Sequence, residues 1–267
     1  MKRRNGYLTA GLILTAVLFA MILLSAFWTP YDPAAMSGGE KLLSPSLCHW
    51  MGTDNFGRDI FSRVMKGAGS TLVIALSTVA IGGSLGLLVG SLTGYFGGRV
   101  DAVLMRFNDA MTAFPSILLG LVFVSILGPG TLNVILALGI VFTPSFARMA
   151  RSAYAACRDV NYVKSVRLMG ASSFRILYVH ILPNTLDVLL PAVTIGFNNA
   201  VLAEASMSYL GVGSMSSLGY MLSDAQSMLY SAPWYALGTG GVMVLMIFSV
   251  GLIGEGLQRR NGGRDNA

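Results

Sequence analysis

The residues that could carry chemistry here are few, and most sit inside apolar stretches. Asn198, Asn199 and Glu204 lie within the long apolar run that follows Thr185. Polar side chains at such positions usually face the interior of a helix bundle or a water-filled path. For Glu204 two roles stand open, lining such a path or fixing helix packing. The two histidines, His49 and His180, and the two cysteines, Cys48 and Cys157, are far apart along the chain. Cys48 and His49 are adjacent but have no partners at zinc-ligand spacing, and the reading of the sequence is that it holds no metal and needs no cofactor. Asp54, Asn55 and Asp59 lack the ligand loop and terminal Glu of a calcium site. Together with Gly52, Gly57, Arg58 and Arg63 they read as tight turns braced by carboxylates, a structural element and not a catalytic pair. Neither a Gly-x-x-x-x-Gly-Lys-Ser/Thr phosphate loop nor a Gly-x-Ser-x-Gly elbow occurs, so no enzyme activity and no ATP site are expected in this chain.

The elements that must hold these residues are membrane helices. The chain has 267 residues, of which 54% are hydrophobic and 11% charged. A soluble domain carries about a quarter charged residues, so lipid is the main solvent implied. Apolar runs long enough to cross the hydrocarbon core are expected over 6–28, 70–96, 101–127, 132–155, 185–210 and 233–257. The first is too long for the core of a cleaved signal peptide, and no small-x-small site closes it. Pro115 and Pro144 are read as prolines inside spans, tolerated where neighbours satisfy the freed carbonyl. Gly82, Gly83, Gly86, Gly90 and Gly94 contain small-xxx-small repeats that permit close helix approach. Residues 29–69 read as a polar loop, and the domain division expected is 1–69 (first helix and loop) and 70–267 (the remaining spans, with a connecting loop at 156–184).

The net charge is +6, and its distribution separates membrane from nucleic acid. If the N-terminus is inside, Lys2, Arg3, Arg4, Arg99, Arg106, Arg148, Arg151, Arg158, Lys164, Arg167, Arg175, Arg259, Arg260 and Arg264 all fall on the inner side. Lys41, Arg58, Arg63 and Lys66 alone fall outside. This bias predicts six spans with both termini cytoplasmic. It also places Cys48 and Cys157 on opposite faces, which excludes a disulfide between them. No basic segment is interleaved with aromatics as single-stranded nucleic acid would require.

Between the fourth and fifth runs lies a polar, basic interruption, Tyr162 to Asn184. Gly170 divides it into two short helices, because glycine best tolerates the left-handed turn that ends a helix. Ser172 or Ser173 is placed to cap the second helix; Pro183 punctuates the segment, and Asn184 leads into the next apolar run. Val163, Val166 and Met169 recur at helical spacing, leaving Lys164, Arg167 and Arg175 to face water or a partner.

This stretch resembles the signature loop of ABC-importer permeases, in which Glu-Ala-Ala is followed by three residues, Gly, nine residues and Ile-x-Leu-Pro. Gly170 and Leu182-Pro183 stand in register. His180 occupies the Ile position, as in the dipeptide/oligopeptide/nickel branch, and Lys164-Ser165-Val166 replaces Glu-Ala-Ala. Gly52-Thr53-Asp54…Gly57-Arg58-Asp59…Ser62-Arg63, the Gly-Tyr-Phe-Gly-Gly string at 94–98 and Gly254-Glu255-Gly256-Leu257 are similar to further motifs of that branch. The resemblance implies an all-α integral membrane fold, that of a six-helix type I importer permease, in a bacterial or archaeal plasma (inner) membrane. It implies that Tyr162, Lys164, Ser165, Arg167, Gly170, Ala171, His180 and Pro183 dock on an ATPase subunit. It implies as partners a second homologous permease, two ABC ATPase subunits and an extracytoplasmic substrate-binding protein. The cargo implied is peptides or nickel and other metal chelates. A stand-alone secondary transporter or channel would need more ionisable groups within its spans than this chain has. A scaffold without a transport role is the third reading.

Overall fold

Glycine decides how the two central helices pack. In a computed structural model describing residues 6–262, α2 (Ile60–Phe96) and α5 (Thr131–Arg158) run parallel along a seam of small residues. Gly82 faces Gly139, Gly86 faces Thr143 and Phe146, Gly90 faces Ala147 and Ala150, and Gly94 faces Arg151 and Tyr154. A Cβ on Gly90 would lie 2.5 Å from both the Ala147 carbonyl and the Ala150 methyl, so the helix backbones are in contact there. Such close approach maximises dispersion contact where lipid offers no hydrophobic drive. Gly83 has nothing within 4 Å of a would-be Cβ and takes no part in the seam.

The remaining elements wrap this pair. They are α1 (Gly6–Phe27), α3 (Gly98–Thr112), α4 (Ser116–Leu127), α6 (Asn161–Leu168), α7 (Ser173–Arg175), a π turn (Ile176–Ile181), α8 (Leu182–Tyr209), α9 (Leu218–Gln226) and α10 (Pro233–Gly262). Among the described residues there is no strand, only an isolated bridge between Thr53 and Asp59. α1 runs antiparallel to α10: Gly11 abuts Ser249 and Ile253, and Leu8 abuts Gly256. At the far end of α1, the Tyr31 amide donates to Ser62 Oγ at the start of α2 (3.1 Å). The start of α1 and the ends of α2, α5 and α10 therefore share one end of the bundle. The basic residues gather at that end too, with Arg151 bidentate on Asp101 (2.5 and 2.6 Å) and Arg259 stacked 4.2 Å from the Tyr7 ring. Lys2, Arg3, Arg4 and Arg264 lie outside the described residues, as does the side chain of Arg260.

Among the described residues five helical stretches are long and apolar enough to cross a membrane, and α3 with α4 forms a sixth only as a pair bent by 90°. The unbroken span expected over 101–127 is thus a broken one. Proline at 115 has no N–H and disfavours the helical region for the residue before it; here the chain turns at Ala113–Pro115 and α4 starts afresh. Pro144 differs, since it stays inside a continuous α5. Its own carbonyl accepts from the buried Asn108 amide at 3.2 Å, which ties α3 to α5.

The loop expected over 29–69 also ends early, at Asp59. Asp59 caps α2, its Oδ2 accepting the Ser62 amide at 2.7 Å. Ile60, Val64 and Ala68 then repeat at helical spacing and are fully buried. Arg63 read as a loop residue because of its charge, but that charge is neutralised in place. Its guanidinium reaches the fully buried Asp54 and donates to the Tyr235 hydroxyl at 2.8 Å. Asp54 also accepts from Arg58 Nε (2.7 Å) and the amides of Phe56 (2.8 Å) and Arg58 (3.0 Å). Asp224, in α9, lies 3.6–3.7 Å from both arginines. This knot joins the loop, α2, α9 and α10. Asp54→Asn should weaken two charge-assisted hydrogen bonds and lower stability by about 1.5–3 kcal/mol. The check is the midpoint of thermal unfolding in detergent; an unchanged midpoint would mean the knot holds nothing together.

Candidate coupling elbow and membrane groove

The elbow at the basic end is built from its local hydrogen bonds. α6 stops at Leu168 and the chain turns through Gly170 at φ +80°. The Gly170 amide donates to the Arg167 carbonyl (3.0 Å) and the Ala171 amide to the Val166 carbonyl (3.3 Å). That pair of bonds is a Schellman motif, which satisfies carbonyls the helix end would otherwise leave open. Ser172 then caps the next helix, its Oγ accepting the Arg175 amide at 3.4 Å. Underneath, Val163, Ile176, Leu177 and Ile181 are buried against Tyr95 and Tyr154, and the Tyr154 hydroxyl donates to the Leu177 carbonyl at 3.3 Å. The elbow is thereby fastened to the ends of α2 and α5 at the basic end of the bundle.

Two expectations need correcting. Met169, counted with the apolar face of α6, is 76% exposed, because the helix ends one residue earlier and the turn swings it outward. Leu168 (89% exposed) and Phe174 (72%), on either side of the turn, are exposed as well. Pro183 does not end a helix. From Ser173 to Tyr209 the chain is one continuous span, with a π turn at Ile176–Ile181 that ends two residues before the proline. Proline clashes with the carbonyl four residues back. A turn widened by one residue displaces that carbonyl, and the Leu182 amide bonds instead to Leu177.

Of the residues singled out in this stretch, Lys164, Ser165, Arg167, Gly170 and Pro183 are exposed, while Tyr162, Ala171 and His180 are half-buried. Arg167 lies 5.3 Å from the Tyr95 ring, over its face. Burial, with the Cys157 thiol beside it, pushes the Tyr162 phenol up. The Asn184 side chain donates to the His180 carbonyl at 2.7 Å, so the histidine backbone is held while its ring stays partly accessible.

A second feature lies in the spans. The break between α3 and α4 opens a groove of about 630 Å³ against α5 and α8. Thr112, Ser116, Ser145, Arg148, Asn199 and Ser206 supply its polar wall, among apolar residues such as Phe114, Phe142 and Ile195. Arg148 donates to Thr112 Oγ1 at 3.2 Å. Asn199 is the one member of the trio Asn198, Asn199 and Glu204 that lines this groove. Asn198 abuts Gly251 on α10. Glu204 is fully buried, accepts the Ser208 hydroxyl at 2.6 Å and stands beside Gly219 of α9. Glu204 does not line this groove. Sequence reasoning passed over Ser145 and Ser206. Ser206 shares a helix face with Asn199, and Ser145 with Arg148, so the spacing was a usable signal.

Against known proteins, this arrangement has a definite place. Residues 86–262 match the family described as binding-protein-dependent transport system inner membrane component. The chain belongs to that family of multi-pass inner-membrane permeases. It is 35% identical over 259 residues to the dipeptide transport system permease protein DppC of Alkalihalophilus pseudofirmus, covering 96% of this chain and 85% of that one. It is 34% identical over 261 residues to the glutathione transport system permease protein GsiD of Pectobacterium atrosepticum, covering 94% and 87%. Its fold is similar to that of a chain in the inward-facing MetNI methionine ABC transporter, with a TM-score of 0.62 at 21% identity, covering 74% of this chain and 95% of that chain.

Proposed function

We propose that this chain is one permease half of an ATP-driven peptide importer, coupled to its ATPase through the elbow at Tyr162–Pro183. The observation that carries the coupling role is the elbow itself. A Schellman turn and a serine cap fix two helices at a set angle, expose the apolar Leu168, Met169 and Phe174 and the basic Lys164, Arg167 and Arg175, and are fastened to α2 and α5 from below. A movement of the ATPase would thus pass to both central spans. Hydrolysis belongs to two separate ABC subunits, since this chain carries no phosphate loop. A homologous permease completes the path, and an extracytoplasmic binding protein delivers cargo. Peptides are the cargo assigned because relatives covering nearly the whole chain are permeases of dipeptide and glutathione transport systems.

In this reading the groove of Asn199, Ser145, Ser206 and Arg148 is this chain's share of the path. ATP-driven closure of the ATPases rocks the spans so that the groove opens alternately to either side, and its hydroxyl and amide groups exchange hydrogen bonds with a passing peptide backbone. Deleting the chain should abolish uptake of a radiolabelled dipeptide, and re-expression should restore it. Unchanged uptake of every labelled di- and tripeptide tested would remove peptides as cargo.

The basic end is assigned to the cytoplasm, with both termini there. Cys48 is exposed at the opposite end and Cys157 is half-buried near the elbow. An impermeant maleimide added to intact cells should label Cys48 and leave Cys157 unmodified until the membrane is permeabilised. Labelling of Cys157 alone in intact cells would reverse the assignment.

A further inference from the structure

The stretch Leu42–Thr53 contains no Asp, Glu, Lys or Arg, although it belongs to a loop that leaves the membrane. Its tip is also unusually apolar at the surface. Leu47 is 96% exposed and Trp50 60% exposed. Neither position is set by a flexible tether. The Ser46 amide donates to the His49 carbonyl (2.8 Å) and the His49 amide to Ser46 Oγ (3.1 Å), which closes the tip. The His49 ring is buried, with Nδ1 2.9 Å from Asp59 Oδ1 and its face 4.5 Å from the Tyr31 ring. Trp50 packs on Phe61 at 4.9 Å. Asp59 is the cap of α2, so the tip is clamped to the start of that span.

Trp28, Leu47, Trp50 and Phe61 line one cleft of about 430 Å³ beside the end of α1. α1 buries only Gly11 and Ser25. Its outer turn presents Leu23, Leu24 and Phe27, the last 91% exposed, and the tip continues that apolar surface. A 22-residue helix rises about 33 Å, close to the thickness of the hydrocarbon core. Trp28, directly after it, therefore stands at the level where lipid tails give way to headgroups. Tryptophan is favoured there because its ring is apolar and its N–H polar.

We infer that the Leu47–Trp50 tip is a membrane-seated anchor: together with Trp28 it lies in the lipid headgroup layer at the end of the bundle opposite the elbow. The partner is the lipid surface itself. A rigid tip locked to the α2 cap and seated in lipid fixes the depth and tilt of α2, and through the glycine seam those of α5. This inference requires only that the chain spans a membrane, so it stands apart from the cargo and coupling assignments.

The experiment places a nitroxide at Leu47→Cys, in a Cys48→Ser, Cys157→Ser background, within the assembled transporter in phospholipid nanodiscs. Collision of the spin label with oxygen, which enriches in lipid, is compared with collision with chromium oxalate, which stays in water. A second label at the exposed Glu40 is the aqueous reference, and an otherwise identical complex without the new cysteine supplies the background. The expected result is an oxygen-to-oxalate collision ratio several-fold higher at position 47 than at 40. Equal ratios at the two positions would place the tip in water and overturn the inference. Protection of position 47 from both probes would overturn it in favour of a protein contact.

Discussion

Gly90→Leu is expected to leave no folded protein to purify, whereas Gly83→Ala on the same helix is expected to cost nothing. The difference lies in what each new side chain meets. At Gly90 even the first carbon would sit 2.5 Å from the Ala147 carbonyl and 2.8 Å from the Arg151 amide, all of it α5. Backbone cannot step aside as a flexible side-chain tip can. Overpacking of a core that can adjust costs about 1–3 kcal/mol. Here adjustment means parting α2 from α5 along the whole seam, where Gly82, Gly86 and Gly94 make the same kind of contact. At Gly83 nothing lies within 4 Å, and alanine in a helix is favoured over glycine by about 1 kcal/mol. Gly90→Ala falls between the two. Size-exclusion profiles of detergent-extracted protein, followed by heating, should rank the series in that order. A monodisperse, wild-type-like Gly90→Leu would show that α2 and α5 do not meet along this seam in the membrane.

Those glycines were readable as a packing stripe from spacing alone, and so were the spans, because an apolar run of fixed length has few alternatives in lipid. The helix-ending role of Gly170 was readable for a related reason: glycine followed by serines is local chemistry. What failed were inferences about how far a local signal reaches. Pro115 and Pro144 look alike in sequence, yet one breaks a span and the other does not. Pro183 looks like punctuation, yet a π turn absorbs it. Arg63 argued for a loop until Asp54 and Tyr235, one of them far along the chain, were placed around it. The groove was least legible. Its polar wall is assembled from α3, α4, α5 and α8 by the bend at Pro115, and no single helix carries enough of it to stand out.

Gly170→Val is expected to abolish peptide-stimulated ATP hydrolysis while leaving the spans inserted and folded. The residue holds φ at +80° with open space around it. Valine therefore meets no neighbour and acts through the backbone alone. A β-branched residue in the left-handed region costs about 1 kcal/mol or more, which the chain relieves by unwinding the turn. The Schellman bonds from Gly170 and Ala171 then break, the angle between α6 and the capped helix beyond it is lost, and the exposed Leu168, Met169 and Phe174 lose their fixed positions. Since the elbow protrudes from the bundle, α2, α5 and α8 are untouched, and expression and extraction should match wild type. Lys164→Glu is the companion. It introduces the Glu of the Glu-Ala-Ala signature that this stretch resembles, and because Lys164 is exposed it changes charge without changing shape. If this ATPase has a surface matched to the lysine, coupling weakens while the fold is unaltered. Co-purified ATPase and peptide-stimulated hydrolysis, measured for both variants, separate the two effects: loss of shape in one, reversal of charge in the other. Wild-type values for Gly170→Val in both assays would remove the coupling role from this elbow and leave it an ordinary loop on the lipid headgroups.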